Sequence, residues 1–192
     1  SSSISSTGTY DAICQSFTPL QKGKLTEVVF KLNKSIGSSI AGNLFANLYE
    51  TTGSYGSSMY PTGTVLAVSE AYHAANLPTF GDAREVGFFF KDEDQVVLNE
   101  GSYYCIVLTA AATSGGSLDF TYGSNVYGGN FGVRTRATQV WGAGIDATYD
   151  LYFKVQLEYY TSYSRSPSPS SSASPSTGFE IVTVTKQVAA NT

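Results

Sequence analysis

"YDLYFKVQLE", residues 149–158, places Leu151, Phe153, Val155 and Leu157 at alternate positions, with Tyr152, Lys154, Gln156 and Glu158 between them. Successive side chains of a strand point to opposite faces, so this spacing predicts a strand with one core face and one wet face. Working outward, similar strand segments are "AICQSFT" (12–18), "LTEVVFKL" (25–32), "NLFANLY" (43–49), "TVLAVS" (64–69), "EVGFFF" (85–90), "YYCIVLTA" (103–110) and the shorter "SLDFTY" (117–122). They are separated by turn chemistry such as "GSYGSSMYPTG", "NLPTFGDA", "KDEDQ", "NEGS" and "TSGG". Short strands at this spacing, with room for only one helical turn in "SEAYHAANL" (69–77), predict an all-β, antiparallel β-sandwich of jelly-roll-like form. The stretch 122–146 alternates poorly and reads as a long loop or irregular hairpin.

Composition agrees. Fourteen Tyr and eleven Phe stand against one Met and one Trp, and aromatic side chains suit a pleated, half-buried surface. A net charge of −4 supplies no basic field for phosphate, so nucleic acid is not an expected partner. No apolar run approaches the roughly 20 residues of a helical membrane span, and no membrane insertion is expected. The opening "SSSISSTG" reads as part of a flexible polar leader, residues 1–11, rather than a signal peptide. Cys14 and Cys105 are too far apart in sequence for a CxxC motif, and each falls inside a predicted strand. One disulfide between them and two buried free thiols both fit that placement.

The sequence is poor in catalytic constellations. His73 is the only histidine, in "EAYHAAN", where a surface or packing role is the plainer reading. No G-x-S-x-G elbow occurs, and zinc would need more His or Cys ligands. "GAGIDA" (142–147) lacks the strand–turn–helix context of a dinucleotide fingerprint. A glycosidase pair of carboxylates has no distinguishing spacing among the fifteen acids. In "KDEDQ", Asp92 and Asp94 are weak calcium candidates, without the spacing or turn glycine of an EF-hand, and a solvated turn explains them as well. "NKS" at Asn33 matches a glycosylation sequon. No catalytic residue, resident metal or cofactor is therefore expected. The best candidate ligand surface is Tyr122, Tyr127, Asn130 and Trp141. Aromatic faces with nearby amides suit sugar rings, although the same residues would also serve as packing for a hairpin. Arg134 and Arg136 alternate and are placed to meet an acidic neighbour or to form a wet ladder.

Beyond the sandwich domain, residues 12–160, composition shifts to a Pro/Ser-rich tether, residues 161–178, and then to a C-terminal strand segment, residues 179–192. In the latter, Phe179, Ile181 and Thr183 alternate with Glu180, Val182 and Val184. An isolated strand is unstable in water, so Phe179, Ile181, Val182 and Val184 are expected to find a sheet edge. That edge is either in the same chain or in a neighbour, where the segment would act as an assembly strand.

Several segments also carry a family pattern: "QSFTP" (15–19), "GKLTEVVFKL" (23–32), "GNLFANLYETTG" (42–53), "PTGTVLAVS" (61–69), "LNEGSYYCIVL" (98–108), "YGG" (127–129) and "DLYFKV" (150–155). Over about residues 12–158 the chain resembles the choice-of-anchor R domains and their relatives in surface-displayed and phage structural proteins. The resemblance implies a jelly-roll-like module displayed outside a cell or on a virion, with no catalytic residues to carry across. The chain departs from that pattern in placing a strand after its tether. The expectation is a non-catalytic structural and interaction module, extracellular on a virion or cell surface. Its partners would be neighbouring subunits or another structural protein of the same assembly. The alternative is a carbohydrate-binding module or adhesin head, with glycans as partners.

Overall fold

The structure, a computed structural model, describes residues 2–110, 112–124, 129–143 and 149–159. Among the described residues sixteen strands follow in chain order. They are β1 (Ser2–Ser5), β2 (Tyr10–Phe17), β3 (Gly23–Lys34), β4 (Ala41–Thr52), β5 (Tyr60–Val68), β6 (Tyr72–His73), β7 (Arg84–Phe89) and β8 (Val97–Leu98). The remainder are β9 (Tyr104–Thr109), β10 (Thr113–Ser114), β11 (Ser117–Phe120), β12 (Tyr122–Ser124), β13 (Phe131–Thr135), β14 (Trp141–Ala143), β15 (Tyr149–Leu151) and β16 (Phe153–Glu158). Every ladder among the described residues is antiparallel, and the protein is an all-β sandwich in which one sheet curls towards a half-barrel.

β3 is the spine of the first sheet. β11 and β16 lie along one of its edges, β7 and β8 along the other, and β1 extends the sheet beyond β11. Phe153, Val155 and Leu157 oppose Phe30, Val28 and Leu25, all fully buried, as the alternation of 149–158 predicts. Leu25 and Val28 are three residues apart, so strict alternation would turn one of them outward. A bulge at Thr26, opposite Gln156–Leu157, absorbs the extra residue, and the Thr26 hydroxyl donates to the Gln156 carbonyl at 3.2 Å. On the wet face, Tyr152 and Lys154 both bond to the Glu85 carboxylate.

The second sheet runs β10-β4-β9-β2-β13-β14, with β5 and β6 on the far edge of β4. Its inner face brings Ile13, Phe17, Leu44, Ala46, Leu48, Ile106, Leu108 and Phe131 against the first sheet. Aromatic pairs tie the layers together: Phe17 meets Phe153 edge-on at 6.0 Å, and Phe131 meets Phe120 at 5.6 Å. The outer face is also covered. Ala12, Cys14, Cys105 and Val107 are buried there beneath Tyr49, Tyr60 and Trp141. Register shifts between Leu48 and Thr51 bend the β4–β5 hairpin, and Tyr60 reaches over β13.

One segment differs from expectation, and another takes the second of its two expected forms. The polar leader is partly built into the fold: Ser2–Ser5 pairs with β11, and Ile4 is 1% exposed. One buried isoleucine with a four-residue ladder is enough to order a stretch whose composition reads as solvated. Within 122–146, expected as a long loop or irregular hairpin, β13 and β14 form an antiparallel hairpin, and β13 is an interior strand, paired to β2 on one side and β14 on the other. Its first three residues are buried on both faces, with Gly132 where alternation would show a large residue, and so its pattern is masked. Residues 161–192, with Phe179, Ile181, Val182 and Val184, lie outside the described residues, as does Tyr127.

Candidate functional site

The described residues of the candidate sugar surface do not form one surface. Tyr122 lies on the inner side, its ring 6.0 Å from Phe120, 6.4 Å from Phe131 and 5.3 Å from Tyr149. Trp141 is on the outer face of the second sheet, paired across from Arg134. Asn130 is 4% exposed, and both ends of its amide are hydrogen-bonded. Its Oδ1 accepts from Ser16 Oγ at 2.9 Å and Met59 N–H at 3.0 Å, while Nδ2 donates to the Met59 carbonyl at 2.9 Å. Asn130 is thus a clip that holds the start of β5 against β2 and β13, and it closes the curl. A buried amide whose oxygen already accepts two protein donors and whose nitrogen is turned to the Met59 carbonyl is not presented to a ligand.

Around Trp141 the chemistry is electrostatic. The Arg134 guanidinium lies 5.6 Å from the indole centroid, and its Nε donates to Asp11 Oδ1 at 3.0 Å. Gln139 Nε2 donates to the other Asp11 oxygen at 3.2 Å from a backbone with φ +56°, the left-handed region. The ladder slips between Arg134 and Thr135, which leaves Asp11 out of register and free to meet Arg134. Burial pushes the Asp11 carboxyl up, but the hydrogen bonds from Arg134 and Gln139 and the charges of Arg134 and Arg136 outweigh it and hold it below its ordinary value. Arg136 lies past the end of β13 and binds backbone, donating to the Gly8 and Ser5 carbonyls at 3.2 and 3.0 Å.

The remaining candidates have structural partners. Asp92–Asp94 forms a 3-10 turn, and Asp94 Oδ1 accepts from the Val68 N–H at 2.9 Å, capping the end of the β5 edge. Lys91 pairs with Glu70 beside it, at 2.7 Å, so a cation already occupies that acidic corner. Among the described residues no group of three or more His, Cys, Asp or Glu side chains could hold a metal ion. His73 is exposed, and its Nδ1 accepts from Ala75 N–H at 3.4 Å at the head of a short 3-10 turn, Ala74–Asn76. Asn33 is 7% exposed, with its amide spent on the Lys34 carbonyl, so the sequon is not offered to solvent.

Cys14 and Cys105 are both buried and free. They share the outer face of β2 and β9, but Cys14 opposes Val107 while Cys105 opposes Ser16. This is a diagonal relation, and diagonal neighbours stand about 7–8 Å apart, too far for an unstrained disulfide. The thiols can still hydrogen-bond. Burial first, then the contact with Cys14, pushes the Cys105 thiol well above its ordinary value.

One concavity escaped the sequence reading. A groove of about 620 Å³ opens between the β4–β5 hairpin of one sheet and β8 of the other, lined by Glu50, Leu66, Val97, Leu98 and Tyr103 among others. Tyr103 is 49% exposed and is held by Tyr55, stacked at 4.7 Å between centroids. The signal was the doubled "YY" at 103–104: in a strand one ring must turn outward when its neighbour enters the core.

Fold and site together define an antiparallel β-sandwich module with a groove at one end. No family model matches the chain, and no curated protein and no solved structure does so either.

Proposed function

We propose that the chain is a non-catalytic structural and interaction module, displayed outside the cell on a virion or cell-surface assembly and linked to its neighbours through its C-terminal segment. One observation carries the reading. β16, the last described strand, pairs with β3 along one edge and with no other strand among the described residues, and from it the chain passes at Tyr159 into residues 160–192. Those residues combine a Pro/Ser tether with an apolar alternating segment, the composition of a linked strand that completes another sheet. The resemblance to choice-of-anchor R domains points the same way. Light scattering and electron microscopy on a chain ending at Ser162 test it. A folded truncated chain that no longer assembles supports the reading. A truncated chain that assembles like the full chain, or one that cannot fold, rejects it.

A second reading, a carbohydrate-binding module or adhesin head, draws on Trp141, which stays partly exposed beside the Arg134 guanidinium. Glycan-array binding abolished by Trp141→Ala would favour it over assembly.

A further inference from the structure

We propose that two turns at one end of the sandwich, with Ile36 and Phe80 at their corners, form a tip that inserts into the headgroup layer of a zwitterionic phospholipid membrane. Residues 35–38 and 79–82 are matched tight turns. Ser38 N–H donates to the Ser35 carbonyl at 3.0 Å, and Asp82 N–H to the Thr79 carbonyl at 3.1 Å. Each turn has a glycine third, in the left-handed region, at φ +68° for Gly37 and +84° for Gly81. The residue before each glycine is hoisted on the corner: Ile36 is 77% exposed and Phe80 53%. A Cβ on either glycine would meet nothing within 4 Å, so both corners stand in open space.

The corners are fixed at their bases. Lys34 N–H donates to the Pro78 carbonyl at 2.8 Å, which joins the two turns, and Ser35 N–H and Ser38 Oγ both donate to the Ser117 carbonyl. The tip also lies at the far end of β3 from the chain's exit. Glu158, the last residue of β16, pairs with Lys24, roughly 30 Å along the strand from Lys34. A module held by its C-terminal tether therefore turns this tip outward, and that direction rests on the proposed role of the C-terminal segment.

The chemistry of the tip selects lipid. A protein partner seals an apolar anchor within a dry rim of neighbouring contacts, and two corners flanked by open space offer no such rim. A fluid bilayer closes around isolated side chains, and Ile and Phe gain by leaving water. Charge sets the kind of lipid. Lys34 Nζ donates to the Ala75 carbonyl at 2.8 Å and meets no carboxylate among the described residues, which leaves it placed to meet a lipid phosphate. Arg84 pairs with Asp82, and Asp119 accepts from Ser35 Oγ, so cations and carboxylates balance around the tip and an anionic surface holds no advantage. This revises the expectation of no membrane insertion. Among the described residues no helix is long and apolar enough to cross a membrane, and an interfacial contact through two side chains needs none. The contact of one copy is weak, and an assembly of linked copies multiplies it.

Flotation of the full chain with phosphatidylcholine vesicles tests the inference. The parent chain should float with them. Ile36→Asp and Phe80→Asp should each weaken partitioning about tenfold or more through the apolar surface lost, with unchanged unfolding midpoints, and Ile36→Leu should bind like the parent. Phe80→Trp supplies a second readout. Its emission should shift to the blue on vesicles and be quenched by brominated lipid, whereas the parent, whose only Trp is Trp141, should show neither change. Failure of the parent to float, parental binding by both Asp variants, or an unquenched Phe80→Trp chain overturns the inference. Binding that needs anionic lipid and is lost in high salt also overturns it, since that is adsorption by charge. If truncation at Ser162 abolishes assembly while the full chain ignores vesicles, the tip is rejected and the assembly reading stands. If assembly is independent of the C-terminal segment while the vesicle results hold, the tip stands and only its outward direction falls.

Discussion

The sandwich interior and the small cluster on the outer face of the second sheet are built by the same strands under opposite rules. Between the sheets the side chains are large: Phe17, Phe30, Phe88, Phe153 and a set of Leu and Ile fill a gap of about 10 Å. Under the curled β4–β5 hairpin they are small. Ala12, Cys14, Cys105 and Val107 form the floor, and Gly132 makes room for the Tyr60 ring. A sheet packed on another sheet needs long side chains to meet at mid-gap, whereas a sheet curling over itself leaves space for little more than a thiol. β2 serves both, so six of its eight residues are apolar or sulfur-bearing or buried amide and hydroxyl, and all but Tyr10 are buried. Burial on both faces erases alternation.

The comparison can be broken at its large-residue end first. Phe153→Ala should cost about 3–5 kcal/mol in denaturant unfolding, because its neighbours Phe17 and Phe30 cannot collapse into the void. A loss below about 1 kcal/mol would mean that the interior is not close-packed at that point.

At the small-residue end the expected damage comes from adding an atom. A Cβ on Gly132 would stand 2.8 Å from Cys14 Sγ and 2.8 Å from the Tyr60 ring, so Gly132→Ala should destabilise by about 1–3 kcal/mol. It should also speed maleimide labelling of Cys14 and Cys105, which in the parent chain should react only through unfolding. Equal labelling rates in the two proteins would show that the curl is not a closed lid.

Asp11 sharpens the contrast electrostatically, since its partner Arg134 lies at the edge of the outer cluster. Asp11→Asn should cost about 1–2 kcal/mol at neutral pH, through loss of a charged hydrogen bond. The carboxyl is held lower in the folded chain than in the unfolded one, so its contribution is full above the ordinary carboxylate range. It is lost as pH falls through the depressed folded value. Unfolding midpoints of the parent and Asp11→Asn chains should therefore converge on acidification below about pH 4. A constant gap down to pH 2 would contradict the ion pair.

His73 belongs to neither cluster. Its exposed ring makes a single 3.4 Å contact, so His73→Ala should change stability by less than about 0.5 kcal/mol in the same unfolding assay.

Legibility followed burial. β16 has one wet face, and its three inward residues, with Leu151 of β15 before them, could be named from spacing alone. The first three residues of β13 are buried on both faces, and Gly132 among them looks like loop composition until it is seen under Tyr60. The candidate site suffered the same way. Asn130 beside aromatics suggested a ligand, and nothing local distinguishes a free amide from one that clips Met59 to Ser16 across 71 and 114 residues of chain.

By itself the sequence determined the class of fold, because period-two spacing and Gly/Pro/Asn turns are local consequences of strand geometry that need no partner to be read. It also determined that residues 149–158 would bury Leu151, Phe153, Val155 and Leu157. Tertiary structure alone decided that Ile4 anchors an edge strand, that a bulge at Thr26 keeps Leu25 and Val28 on one face, and that two buried thiols meet diagonally without a bond between them. It alone also placed a groove where edges of the two sheets approach. These features depend on register between segments tens of residues apart. A shift of one residue reverses every side chain, and only the packed sheets select which register is kept.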